Sequence, residues 1–181
     1  MASLRGKFLI ASPTLIDPNF ARSVVLIAEH NDEGAMGLVL NRPSEASVAE
    51  SVEELDGVVD AGATVFVGGP VQTQAVMVLA EFDDPAQAAA VVLADVGFLP
   101  ADADMAELSG RTRRARVFAG HAGWGPGQLD AELEEGSWIV EDALPDEVFT
   151  EEPDDLWGAV LERKGGAYAL LARMPEDPSL N

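Results

Sequence analysis

The chain has 181 residues, with 11 Lys+Arg against 32 Asp+Glu and no Cys, for a formal net charge of -21. Without Cys there is no disulfide framework and no thiolate metal site, and the charge excludes binding driven by phosphate backbones or anionic membrane surfaces, which depends on Lys and Arg. The 48% hydrophobic content is too high for a disordered acidic segment, and no apolar run approaches the ~20 residues that span a bilayer. No basic segment followed by an apolar core opens the chain. These features predict a cytoplasmic protein of one domain over residues 1–181, whose acidity is a solvated surface.

Lys7 to Ala11 reads as a first strand. Ser23 to Glu29 is a continuous β-branched run, as expected for a strand covered on both faces. Asn31 to Gly34 reads as a turn and Gly37 to Asn41 as the next strand, so the pair predicts a β-hairpin that Pro43 ends. Ser47 to Leu55 carries Val48, Val52 and Leu55 at helical spacing, with Ser47 and Glu50 placed as a capping box. Thr64 to Val67 and Ala75 to Ala80 read as strands flanking Gly68-Gly69-Pro70. Pro85 to Leu99 fits helix or strand. Asp102 to Leu108 predicts a short helix closed by Gly110. Val117 to Ala119 continues a strand begun in the preceding arginines. Gly120 to Gly127 then reads as a tight, glycine-dense turn. Gln128 to Glu134 predicts a helix and Ser137 to Val140 a strand. Pro153 opens a last helix, with Asp154 and Asp155 in its first turn and Arg163 and Lys164 in its last, as the helix dipole favours. Gly165-Gly166 closes it, and Leu156, Trp157, Val160 and Leu161 form its core stripe.

Charge is unevenly distributed. No Lys or Arg occurs between Pro43 and Gly110, and then Arg111, Arg113, Arg114 and Arg116 arrive together. Four arginines in a strongly negative field read as an edge strand blunted by charge, or as a counterweight to nearby carboxylates, ahead of a nucleic-acid patch.

Four places hold residues suited to chemistry. The loop containing Gly120, His121, Gly123, Trp124 and Gln128 permits close backbone approach and opens onto a helix, an arrangement suited to anions; it also reads as a rigid turn fixing Trp124 in the core. Gly68 and Gly69 follow a strand and read as a ligand-contacting or purely structural turn. His30 and His121 lack any zinc-type spacing, and no G-x-S-x-G surrounds Ser12, Ser23 or Ser137. Arg22, Asn41 and Arg42 flank the hairpin strands, and Arg22, placed directly before a buried run, needs a partner; Asp17 is the candidate.

These same segments carry a family resemblance. Gly6 to Pro13, Asp17 to Leu26, Glu29 to Pro43, Gly68 to Val71, Gly123 to Leu129, Asp154 to Trp157 and Asp177 to Asn181 together resemble the YqgE/AlgH family over essentially the whole chain. Where that family often continues Gly-Gly-Pro-Val into Asp-Arg-Gly-Phe-x-Leu-His, this chain has Gln74 to Ala80, without the charged pair or the His. Where the family often has Tyr, it has His121. The resemblance implies an α+β fold, a mixed β-sheet folded into a partial barrel and flanked by short helices. It also implies, by name, a link to regulation of alginate production.

The sequence therefore favours a non-enzymatic binding or regulatory domain that needs no cofactor or metal and acts through a protein partner or small ligand. Its candidate contacts are Arg22, Asn41, Arg42, Gly68, Gly69, His121, Gly123, Trp124 and Gln128. Two rivals make distinct demands. A hydrolase or transferase needs His121 within hydrogen-bond reach of a nucleophile and an orienting carboxylate, and a direct transcriptional regulator needs a basic face. On a strand, Arg111 and Arg113 fall on one side and Arg114 and Arg116 on the other, so about two reach one duplex, too few to hold it by counterion release. Fluorescence anisotropy with a labelled random duplex at about 150 mM salt is expected to show no binding down to the ~10⁻⁴–10⁻⁶ M dissociation constants of non-specific binders. Saturable micromolar binding that weakens with salt and is lost in R113A/R114A would revive direct DNA contact.

Overall fold

A computed structural model describes residues 3–52, 55, 58–60 and 62–175. Its strands are β1 (Lys7–Ala11), β2 (Val24–Asn31), β3 (Gly34–Val39), β4 (Pro43–Ser47), β5 (Thr64–Val67), β6 (Val71–Phe82), β7 (Ala90–Leu93), β8 (Val96–Phe98), β9 (Thr112–Trp124) and β10 (Trp138–Asp142). The helices are short: α1 (Val48–Ser51), α2 (Met105–Leu108), α3 (Gln128–Glu134), α4 (Pro145–Val148), α5 (Leu156–Lys164) and α6 (Ala167–Leu171). The strands form one ten-stranded sheet in the order β10-β1-β2-β3-β9-β6-β8-β7, with β4 and β5 joined through β9. All pairings are antiparallel except β5 with β9, so the sheet is mixed.

The long β9 organises this sheet. Its Ala122–Trp124 end pairs with β3, its middle with β5 at Phe118–Ala119, and most of its length with β6. Between the β5 and β3 contacts sits Gly120, at φ 76°. The sheet then curls. The Gly6 amide donates to the Ile27 carbonyl at 2.8 Å, and the Arg5 guanidinium donates to the Val91 carbonyl of β7. The β7 edge thus approaches β1 and β2 without pairing, so the α+β architecture is a partial barrel that does not close.

Alternation along β1 and β2 explains their continuous apolar sequence. Phe8, Ile10, Val24 and Leu26 point into one core with Leu38, Phe118 and the α5 residues Leu156, Trp157, Val160 and Leu161. Leu9, Ala11, Val25 and Ile27 point into a second core with Val39, Trp124, Leu129 and Trp138. Successive strand side chains face opposite sides, and here α5 covers one side and α3 the other. The Trp157 indole N–H donates to the Ala11 carbonyl at 2.9 Å, which ties α5 to the end of β1.

Several expected elements differ. The hairpin is tighter than its sequence suggests, with Asn31 opposite Gly34. Pro43 opens β4 rather than ending the hairpin, the strand-initial position a proline tolerates. Ser47 precedes α1 as its N-cap but makes no side-chain capping bond, so the capping box does not form; part of the predicted 47–55 helix lies outside the described residues, as does the 177–181 motif. Pro85 to Leu99 resolves into a 3₁₀ turn and the β7–β8 hairpin. The Gly120 to Gly127 turn is mostly strand: β9 runs through it to Trp124. The four arginines lie on or beside this central strand, not on a sheet edge. The helix after Pro153 is followed by α6.

Because Leu161 of α5 is fully buried in the core with β1 and β2, Leu161→Ala is expected to cost about 2–5 kcal/mol in urea unfolding. Leu170→Ala, at a position 67% exposed, is expected to stay within about 0.5 kcal/mol. Equal effects at the two sites would show that α5 is not docked as described.

Candidate functional site

The expected site residues divide into three places. The first is a groove of about 700 Å³ lined by Arg22, Asn41 and Arg42 on one wall and by Asp154, Asp155, Trp157, Gly158 and Glu162 on the other. It is built from the ends of β2 and β3. Asn41 is buried, and its amide spans the two strands: Oδ1 accepts from the Val24 N–H at 3.0 Å, and Nδ2 donates to the Arg22 carbonyl at 2.8 Å. That second bond fixes a residue in an unfavourable conformation, because Arg22 has φ 56°. A left-handed non-glycine residue costs about 1–2 kcal/mol. Two hydrogen bonds of about 0.5–1.5 kcal/mol each, one buried and one partly buried, offset it.

The Arg22 side chain is held as firmly as its backbone. Its guanidinium lies 4.5 Å from the centre of the Trp157 ring and donates to the Met174 carbonyl at 2.5 Å. The expected pairing with Asp17 does not occur, since that carboxylate instead accepts from the Asn19 N–H at 2.8 Å and turns the first loop. Among the described residues no carboxylate lies within ion-pair distance of Arg22. Arg42 donates to the Ala21 carbonyl. It also borders two further cavities, one lined by Pro18, Val67, Gly69 and Pro70 and one by Pro13, Ile16 and Met174. Ser23, the next residue after Arg22, is fully buried with its hydroxyl unpartnered, so it has no access to a substrate.

Gly68, Gly69 and His121 form the second place, a crossing of two backbones. A Cβ on Gly69, at φ 153°, would stand 2.2 Å from the His121 carbonyl carbon, and one on Gly68 would stand 2.4 Å from the Gly120 oxygen. The close approach requires these glycines, and Gly69 also lines a cavity beside Arg42. His121 Nδ1 is buried and has no hydrogen-bond partner. Among the described residues no hydrogen bond joins His121 to a nucleophile or to an orienting carboxylate.

Trp124 and Gln128 belong to a third place, a satisfied structural cluster around Glu132. The indole N–H groups of Trp124 and Trp138 both donate to Glu132 Oε1, at 3.0 and 2.9 Å, and Gln128 donates to Oε2 at 2.9 Å. Gln128 also accepts from the Gly125 N–H at 3.0 Å, which closes the turn leading into α3. Gly123 is exposed between these places, and a Cβ there would meet only Val71, at 3.7 Å. Sequence reading missed Glu132, although its i,i+4 spacing from Gln128 was available.

Three of the four clustered arginines meet carboxylates; Arg111 meets Glu107 at 3.4 Å. Arg114 makes a two-pronged pair with Glu81 at 3.1 and 2.9 Å and reaches Asp146 at 3.0 Å; its hydrogen bond to Glu81 raises its pKa further. Arg113 meets Asp95 at 2.8 Å and Glu81 at 3.4 Å. Arg116 lies over the Phe66 ring, 4.6 Å from its centre, and donates to the Val148 and Phe149 carbonyls, where burial lowers its pKa. Among the described residues no group of three or more His, Cys, Asp or Glu is placed to hold a metal. No described helix is long and apolar enough to cross a membrane.

Comparison with known proteins places this geometry. The model of a family described as AlgH-like matches residues 8–169. The UPF0301 protein SCO2948 of Streptomyces coelicolor is 39% identical over 187 residues, covering 100% of this chain and 97% of that protein. A UPF0301 protein of Thermobifida fusca is 42% identical over 190 residues, covering 99% and 96%. Among solved structures, the crystal structure of DIP2367 from Corynebacterium diphtheriae superposes with a TM-score of 0.88 at 31% identity over 95% of this chain and 92% of that one. The solution structure of the AlgH protein from Pseudomonas aeruginosa gives 0.73 at 32% identity over 96% and 95%. The family match and these relatives cover nearly the whole chain, and the chain belongs to the AlgH-like family.

Proposed function

We propose that this protein is a non-enzymatic binding domain of the cytoplasm. It takes the anionic group of a small ligand or protein partner in the Arg22–Arg42 groove, and any regulatory output passes through that contact. One observation carries this reading. Arg22 is held by strain, an amide brace and a tryptophan face, yet has no carboxylate partner among the described residues of a chain with 32 acids. Elsewhere, Arg111, Arg113, Arg114 and Arg163 all meet carboxylates. A guanidinium fixed in advance loses less entropy when an anion arrives, and the groove's volume falls within the range of small-molecule sites.

Nucleic acid does not fit this reading, because the arginines of the 111–116 cluster are already engaged and the overall field is negative. The test uses a simple anion. At fixed ionic strength, hexanoate is expected to raise the melting temperature saturably, and Arg22→Gln is expected to abolish the rise. A rise that survives in Arg22→Gln, or none in the native protein, contradicts the assignment.

A further inference from the structure

The outward stripe of α5 supplies the opposite wall of the groove. Asp155, Gly158, Ala159 and Glu162 recur at i, i+3, i+4 and i+7, one helical face, while Leu156, Trp157, Val160 and Leu161 turn into the core. The two acids are thus separated by small residues. A Cβ added at Gly158 would make ordinary contact with Ala172, at 3.8 Å, so small residues form the floor between the acids. Asp154 stands beside them. None of the three carboxylates has a cation partner among the described residues.

Acids along a helix are by themselves ordinary solvated surface. Here they share a cavity with the Arg22 guanidinium, which lies over Trp157 and has no carboxylate partner among the described residues. Resting on the reading of the groove as an anion site, we propose that its ligand is a small zwitterion, with a carboxylate at one end of a short chain and an ammonium at the other. The carboxylate meets Arg22, and the ammonium meets Asp154, Asp155 and Glu162. A purely anionic ligand of this length would carry its tail to three carboxylates, and a purely cationic one would meet Arg22 and Arg42. Each wall therefore weakens, without abolishing, the binding of a ligand that carries only the other wall's counter-charge.

Calorimetric titration of the full chain with 6-aminohexanoate, hexanoate and hexylamine, at equal ionic strength and pH 7, separates the cases. The expected result is 6-aminohexanoate binding at least tenfold tighter than either single-charge analogue. Asp155→Asn/Glu162→Gln, both exposed positions, should erase its advantage over hexanoate, and Arg22→Gln its advantage over hexylamine. Equal affinity for 6-aminohexanoate and hexanoate overturns the zwitterion proposal and leaves the anion groove standing. Tighter binding of 6-aminohexanoate that survives Asp155→Asn/Glu162→Gln also overturns it. If no compound binds, the proposal and the anion groove both fail.

Discussion

The buried amide of Asn41 is the contact on which the groove depends. It stands where β2 begins and β3 has just ended, and it satisfies one group from each side of the Arg22–Val24 corner. Removing it would leave the Val24 N–H and the Arg22 carbonyl without partners, at about 1–3 kcal/mol each if they stay buried. That exceeds the cost of about 1–2 kcal/mol for holding Arg22 in the left-handed region. The strained corner persists because Asn41 offsets it, and the corner aims the guanidinium at Trp157. A cation–π contact contributes about 0.5–2 kcal/mol more, enough to keep the side chain on the ring but not to impose the backbone conformation.

Trp157 couples that corner to the fold. Its ring carries Arg22 on the groove side, its indole N–H holds the β1 end at Ala11, and its body belongs to the core under the curled sheet. The groove is therefore formed where a helix packs across the end of a partial barrel, with one stripe of α5 spent on the core and the next stripe on the groove. The charge of the molecule follows the same division. Arg113 and Arg114 on β9 are neutralised by Glu81, Asp95 and Asp146, whereas at the groove Arg22 has no carboxylate within ion-pair distance among the described residues.

Much of this was legible in the sequence, and the failures have physical reasons. Continuous apolar runs at β1 and β2 announced strands covered on both faces, and the 156–157–160–161 spacing announced the buried face of α5. The β7–β8 hairpin was hidden because its two-residue loop is Ala94-Asp95, with Ala94 at φ 47°, where hairpins usually signal themselves with Asn-Gly or Asp-Gly. The glycines from 120 onward read as a turn because composition does not distinguish a glycine that bends the chain from one that lets another strand come close. Arg22, Asn41 and Arg42 were identified as one neighbourhood, but Asp17 was the wrong partner: the nearest acid in sequence was already occupied by its own turn. Trp157, 135 positions away, could be placed in the core but not beneath Arg22. Gly158, Ala159 and Glu162 carried their signal in the spacing left over after the core stripe was assigned.

The central claim is that Asn41 sets the Arg22 guanidinium over the Trp157 ring before any ligand arrives. Proton NMR of the ligand-free protein tests this at the Arg22 Nε–H, which a stacked indole ring shifts upfield. The account predicts an upfield-shifted resonance in the native protein that stays in place in Asp155→Asn and moves toward its ordinary position in Asn41→Ala. An Arg22 Nε–H at its ordinary position in the native protein would contradict the account.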